Sequence, residues 1–341
     1  MRTTLPILAT LGLVAASANA QSIVLDGVLD KTYGAKALVV QNTQTGFGNS
    51  NTGTIDFANG SELNSAHAYI EDGFLFLMLT GNLESNFNKL EVFLDAVPGG
   101  QNQLRNDNID VDFNGLNRMG DDPQTTKVVE GLRFDEGFEA DMWVGLTCGN
   151  NPLEVYMNYA TIQTEGGGQG GYQGTGGAGL AGAQIFKSGF GYGIDNSNIG
   201  GVEGGADIGS GAGATTGVEL RIPLSAIAGY KGGDIKVCAF INGQGHDFIS
   251  NQVLGPLGGG GNLGEPRVVN FADIPGDQFF VISAGGGSNC PADLDNSGAI
   301  DAADLASLLG AWGTPGGDID GSGDTDAADL AAMLAAWGDC L

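Results

Sequence analysis

Ten of the chain's 40 acidic residues fall between Cys290 and Leu341, a stretch without lysine, arginine or histidine, and their pattern is written twice. Asp293, Asp295, Ser297, Asp301 and Asp304 recur twenty-five positions later as Asp318, Asp320, Ser322, Asp326 and Asp329. Oxygen donors at positions 1, 3, 5, 9 and 12, with glycine at 6 for the sharp turn and a backbone carbonyl at 7, are the ligand set of a twelve-residue calcium loop. Gly298 and Gly323 stand at position 6, and Ala299 and Asp324 offer the carbonyls at position 7. The chemistry expected is all-oxygen coordination of two Ca2+ ions, one per loop.

The loops need elements to hold them. Leu305, Leu308, Leu309 and Trp312 fall at i, i+3, i+4 and i+7, as do Leu330, Met333, Leu334 and Trp337, so each loop is predicted to feed one amphipathic helix. Residues 293–313 and 318–338 are identical at 14 of 21 positions, which makes the unit an internal duplication. No helix can enter either loop, because Cys290-Pro291-Ala292 precedes the first and Thr314-Pro315-Gly316-Gly317 the second.

Two calcium loops with exit helices only, in tandem near the end of the chain, resemble a type I dockerin, a small α-helical module with paired EF-hand-like loops, here covering 290–341. The resemblance implies calcium-dependent folding and docking onto a cohesin-like protein module, in the context of polysaccharide breakdown. Positions 10 and 11, which such modules use for partner recognition, are Ala302-Ala303 and Ala327-Ala328; Leu308-Leu309 and Met333-Leu334 are expected beside them on the partner face. The duplication gives the two faces an approximate two-fold relation, so a partner is expected to bind either way round. Serine at position 5 and aspartate at position 12 depart from the commoner residues, and the shorter aspartate arm reaches an ion less easily.

At the other end, Arg2, the apolar run Leu5–Ala16 and the small residues Ala18-Asn19-Ala20 make 1–20 a predicted signal peptide. The run is too short to span a bilayer, and no later apolar run approaches eighteen residues, so no membrane span is expected. The protein is expected to be secreted or associated with the cell surface. With 13 lysines and arginines against 40 acids, its net charge of −27 argues against nucleic acid and anionic membranes as partners. Four cysteines without a C-x-x-C spacing, in an exported chain, predict disulfides over metal ligation. Of three connectivities, Cys148–Cys238 with Cys290–Cys340 keeps each bond within one module. The second closes a loop around the duplication, worth at most about 4 kcal/mol of unfolded-chain entropy.

Residues 21–284 read as strands. Val218, Leu220, Ile222 and Leu224 alternate with polar residues and Pro223, and Ile235, Val237, Ala239 and Ile241 alternate in the same way. Ala66–Ile70, the turn Glu71-Asp72-Gly73 and Phe74–Thr80 predict a hairpin whose second arm, apolar on both faces, is a central strand. Leu90–Asp95, Phe138–Cys148 and Glu154–Tyr159 add strands, and no stretch keeps a helical period for three turns, so an all-β sandwich is expected. Gly166–Gly217 holds 21 glycines in 52 residues and reads as long loops, and 285–289 as a glycine-rich linker. The opening Leu25-Asp26-Gly27-Val28-Leu29-Asp30 with Tyr33, then Ala68–Leu77 and Val92–Asp95, is similar to the start of family 9 carbohydrate-binding modules, which implies a jelly-roll-like sandwich.

Within the sandwich no catalytic set is recognised. Trp143, Tyr156, Tyr159, Tyr172 and Tyr192 offer faces for sugar stacking, and Glu139 and Asp141 form a carboxylate pair beside Trp143, of the kind glycoside hydrolysis needs. His67 and His246 are too few for a three-histidine metal site; His67 reads as structural and Gly245-His246-Asp247 as a loop. The leading expectation is a secreted protein whose C-terminal module docks in a calcium-dependent way while its sandwich contacts polysaccharide. The alternatives are a glycoside hydrolase or other polysaccharide-degrading enzyme, and a structural surface protein that binds nothing.

Overall fold

Asp72 and Gly73 both have positive φ, +50° and +80°, which is what a two-residue hairpin turn of the I′ type requires. The turn joins β2 (Glu62–Glu71) to β3 (Phe74–Asn82) in the computed structural model of the chain. The structure describes residues 23–34, 36–46, 60–121, 130–177, 181–198, 211–255, 257, 260–283, 291–295, 299–320 and 322–339. The expected signal peptide and linker, Ser297, Gly298, Cys290 and Cys340 lie outside them. β3 is central: β2 flanks it on one side and β10 (Gly217–Pro223) on the other. With β1 (Val39–Val40), β9 (Gly191–Asp195) and β8 (Ala181–Ile185) they form one sheet in the order β1-β2-β3-β10-β9-β8. The second sheet runs β12 (Ile249–Leu254), β11 (Ile235–Asn242), β4 (Asn86–Asp95), β5 (Met142–Gly149), β6 (Glu154–Thr161), β7 (Gly170–Gly177), with β13 (Phe280–Ile282) also on β11. All pairings between these strands are antiparallel.

The alternation that predicted the strands decides which face each side chain takes. Leu75, Leu77 and Leu79 of β3 and Leu220 and Ile222 of β10 meet Leu90, Val92 and Leu94 of β4 and Val237 and Ala239 of β11 in one core between the sheets. The opposite face of β3, Phe76 and Met78, clusters with Tyr69 of the neighbouring β2 and with Tyr33 of the N-terminal segment. The outer face of the second sheet is covered too: Phe93, Trp143 and Phe240 pack against Leu116, Met119, Phe134, Phe138 and Phe271. β4, β5 and β11 are therefore buried on both sides, and polar groups on their outer face must find partners within the protein.

Two expectations fail here. The glycine-rich stretch is not loop throughout, since β7, β8 and β9 lie within it and Tyr192 is fully buried. Glycine serves these strands where another backbone lies directly on them. A Cβ on Gly193 would come within 2.6 Å of the Asp26 and Gly27 nitrogens, and one on Gly27, itself at φ +80°, within 2.4 Å of the Asp195 nitrogen. The pairing of Cys148 with Cys238 is also wrong. Cys148 points into the core between the sheets and Cys238 to the outer face. Cys238 lies beside Phe93 and Phe93 beside Trp143, which leaves Cys148 five residues further along its strand, roughly 16 Å away at about 3.3 Å per residue. A disulfide needs its Cα atoms within about 7 Å, and no bond joins the two.

The N-terminal turn that crosses Gly193 is held by a buried carboxylate. Glu219 Oε2 accepts the Asp26 and Gly27 N–H groups at 3.0 and 3.2 Å, and Oε1 accepts the Tyr33 hydroxyl at 2.6 Å. These contacts place the Asp-Gly and Tyr of the opening motif on one side chain of β10. Gly193→Ala should push this turn off the sheet and lower stability by about 1–3 kcal/mol in urea unfolding; an unchanged midpoint would show that the turn does not bear on β9.

Candidate metal centres

Each acidic loop opens onto a helix that its own carboxylates cap. α2 (Ala302–Gly310) follows the first loop and α3 (Ala327–Ala335) the second; a short α1 (Gly115–Arg118) belongs to the sandwich. Asp301 accepts the Ala303 N–H at 2.7 Å and Asp326 the Ala328 N–H at 2.7 Å, and the aspartate three residues on closes a capping box in both. Positions 9 and 12 of the calcium pattern thus have a helix-capping duty that needs no metal.

Position 12 does more than cap. Asp304 Oδ1 accepts the Leu294 and Asp295 N–H groups at 2.7 and 3.1 Å while Oδ2 accepts that of Asp301 at 2.8 Å. Asp329 repeats this with Ile319, Asp320 and Asp326 at 2.7, 3.1 and 2.7 Å. Burial works against the charge on Asp304, but the N–H groups of Asp301, Asp295 and Leu294 hold its carboxyl below the usual range. The Asp326 N–H does the same for Asp329, with Ile319 and Asp320 adding to it against the effect of burial. Both residues are fully buried.

Around each of them stand two more acids. One oxygen from each of Asp293, Asp295 and Asp304 lies within 4.8 Å of the others, and the same holds for Asp318, Asp320 and Asp329. In the second loop Asp318 also accepts the Ser322 and Gly323 N–H groups at 3.0 and 2.7 Å, and Asp320 that of Ser322 at 3.0 Å, which curls the loop around the acids. The Asp324 carbonyl, at position 7, accepts the Ser322 hydroxyl at 3.3 Å. Three carboxylates this close repel one another, and a hard cation with oxygen ligands at about 2.3–2.6 Å suits them.

The duplication reaches into the backbone. Ile300, at position 8 of the first loop, pairs with Gly338 beyond α3, through β14 (Ala299–Ile300) and β15 (Gly338–Asp339). Thr325, at position 8 of the second loop, accepts the Gly313 N–H beyond α2 at 2.9 Å and donates its own N–H to the Thr314 carbonyl at 2.8 Å. Each half is therefore clasped by the tail of the other. Between them Ile300, Leu308, Met333 and Ala292 form a small core, backed by Leu294, Leu305, Ile319 and Leu330.

This core corrects part of the expected partner face. Leu308 and Met333 are fully buried and unavailable to a partner, whereas Leu309, Leu334, Trp312 and Trp337 are about half exposed. Ala302, Ala303, Ala327 and Ala328 are exposed as expected. The apolar stripe was legible, but which of its edges faced the other helix was not.

Among the sandwich candidates, Trp143 and Tyr192 are fully buried and Tyr159 stacks on Phe190 at 4.5 Å. Tyr156 donates to Glu154 at 2.7 Å, and Tyr172 is exposed. Glu139 and Asp141 do not act on a common space: Glu139 is exposed, while Asp141 is buried and accepts the Ala96 and Val97 N–H groups at 2.7 and 2.9 Å. Its burial, against those donors, pushes the Asp141 carboxyl up to about 6. His67 is buried beside Ser65, and desolvation lowers it to about 4.

His246 proves to be the centre of a cluster the sequence did not announce. Its Nδ1 lies 2.7 Å from Glu91 Oε1 and its Nε2 2.8 Å from Asp112 Oδ2, which also takes Lys89 Nζ at 3.0 Å. The Trp143 indole N–H donates to Glu91 Oε2 at 2.8 Å, its ring lying over Gly145, where a Cβ would come within 2.3 Å of it. Asn242 donates to Glu91 at 3.2 Å and accepts the Gly243 and Phe248 N–H groups, shaping the turn that carries His246. The one signal in the sequence was the pair Lys89 and Glu91 flanking Leu90 at the start of the apolar part of β4.

Comparison of the chain with protein-family models, with curated proteins and with solved structures finds no match. Among the described residues no helix is long and apolar enough to cross a membrane.

Desolvation opposes the charge on His246, but Glu91 and Asp112 outweigh it and raise its pKa to about 9. A histidine raised above its free value of about 6.5 contributes stability that is complete below that value and is lost as pH rises through the folded one. Wild type should lose on the order of a few kcal/mol between about pH 6.5 and 9 by urea unfolding, whereas His246→Gln should lack that slope. Parallel curves for the two would contradict an imidazolium held between Glu91 and Asp112.

Proposed function

We propose that residues 290–341 are a calcium-stabilised docking module of the type I dockerin kind, carried by a jelly-roll-like sandwich, related to family 9 carbohydrate-binding modules, that contacts polysaccharide outside the cell. The observation that supports this most is the repetition of a three-carboxylate cluster with the same backbone hydrogen bonds in both loops, in a stretch without a basic residue. Bound calcium would supply the charge compensation the module lacks. Asp293, Asp295 and Asp304 would hold one ion with Ser297 and the Ala299 carbonyl; Asp318, Asp320 and Asp329 the other with Ser322 and the Asp324 carbonyl, and Asp301 and Asp326 would act at position 9.

The partner face in this reading consists of Ala302, Ala303, Leu309 and Trp312 from one half and Ala327, Ala328, Leu334 and Trp337 from the other. Small residues beside exposed tryptophans favour close apolar approach by a cohesin-like module, and the two-fold clasp makes both halves usable.

Calorimetric titration of the full chain should count two calcium ions, and Asp293→Ala or Asp318→Ala one each. With a dissociation constant near 10 μM, millimolar calcium would stabilise each site by about 2.7 kcal/mol. Absence of binding heat together with an unchanged unfolding midpoint would refute the calcium reading. For docking, Ala302→Arg or Ala327→Arg alone should weaken capture of a cohesin-like module less than threefold, and the double substitution should abolish it at unchanged calcium affinity. Loss of binding in either single variant would mean that the two faces are not equivalent.

A further inference from the structure

The outer face of the second sheet carries a cavity of about 720 Å³, between the segment 112–121 and the turn at 243–248. That volume is within the range of small-ligand sites. On its rim stands Phe113, entirely exposed. Its φ is +55°, and its neighbours Asp112 and Asn114 are at +48° and +66°, three successive non-glycine residues in the left-handed region. A bulky side chain rarely adopts that conformation, and such a run persists only where the surroundings impose it.

The surroundings here are the buried cluster. Asp112 is gripped by His246 and Lys89, Asn114 Oδ1 accepts from Asn117 Nδ2 at 2.6 Å, and Asn117 is fixed in turn by the Asn108 backbone at 2.9 and 3.0 Å. Gly115 is pressed so close to the imidazole that a Cβ would lie 2.3 Å from His246 Nε2. Folding therefore holds a strained loop in place and leaves an aromatic ring in water at the edge of a polar cavity. Burial does not explain that position for a phenylalanine; a ligand with an apolar face does.

The remaining lining indicates the ligand's chemistry. Asn106 and Gln244 bring amides, and Arg118 and Arg267 bring planar donor forks, both fixed on Glu265. The charges that line the cavity and their direct partners balance: Lys89, Arg118, Arg267 and His246 face Asp112, Asp121, Glu91 and Glu265. A balanced cavity in a chain of charge −27 suits an uncharged ligand rich in hydroxyls, to which amides both donate and accept and guanidinium groups donate.

We propose that this cavity is the subsite where the sandwich holds a neutral polysaccharide, with Phe113 stacking on a sugar ring and Asn106, Gln244, Arg118 and Arg267 addressing its hydroxyls. Glu91 is a positioning residue, which holds His246 from behind the cavity, while His246 and Asp112 on the cavity wall hold the Phe113 loop. The proposal rests on the polysaccharide half of the proposed function and assigns it a place.

Native affinity electrophoresis of the full chain through gels containing mixed-linkage β-glucan, xyloglucan, glucomannan or polygalacturonate tests it. Wild type should be retarded by at least one neutral glycan and not by polygalacturonate. Phe113→Ala should weaken that retardation at least tenfold with an unchanged urea midpoint, and Gln244→Ala should weaken it less. Ile185→Ala, at an exposed apolar residue of β8, should leave it unchanged. Binding that survives in Phe113→Ala and Gln244→Ala overturns this site while leaving a polysaccharide-binding sandwich standing. Retardation by polygalacturonate alone overturns the neutral ligand, and retardation by none of the four removes both the site and the reading on which it rests.

Discussion

A carboxylate taken out of water must be given hydrogen-bond donors, a cation or a proton. With 40 acidic residues and only 13 lysines and arginines, this chain has few cations to give. Its buried acids divide by what they receive. Glu91 gets an imidazolium, an indole N–H and an amide. Glu219 gets a phenol and two backbone N–H groups, and even so desolvation raises it to about 7. Asp304 and Asp329 get three backbone N–H groups each, and Asp318 and Asp320 get loop N–H groups as well, but the three-acid clusters stand in a stretch with no lysine, arginine or histidine to balance their charge.

That shortfall links the C-terminal module's chemistry to its stability. Among the described residues four buried apolar side chains make up its core, with four more half-buried. At roughly 1.5–3 kcal/mol for each fully buried large side chain, such a core is close to offset by the entropy of ordering the chain. A module of this size depends on something beyond apolar burial, and two ions that couple folding to ligation would provide it. The sandwich has no such need: three of its strands are buried on both faces, and its buried acids Glu91 and Glu219 are hydrogen-bonded within it.

Period-2 alternation made β10 and β11 legible from sequence, a run apolar on both faces made β3 legible as a central strand, and the Asp-Gly pair fixed the β2–β3 turn. The glycine strands were not legible, because what makes Gly193 a strand residue is the turn at Asp26 and Gly27 lying on it, a contact between residues far apart in the chain. The same holds for the cluster of Glu91, Asp112 and His246, whose members come from three separate segments. In the duplicated unit, ligand spacing and helical period were plain. Helix packing then decided that Leu308 and Met333 go inward while Leu309 and Leu334 remain outside. The cysteines misled because sequence carries no information on which face of a sheet each of two distant residues takes.

Limited proteolysis of the full chain, with fragments mapped by mass spectrometry in millimolar calcium and in EGTA, tests the dependence of the C-terminal module on its acids most directly. Cleavage sites within 293–338 should open in EGTA and close in calcium, while the strands between 62 and 282 resist in both. An identical fragment pattern in the two conditions would contradict a calcium-dependent module.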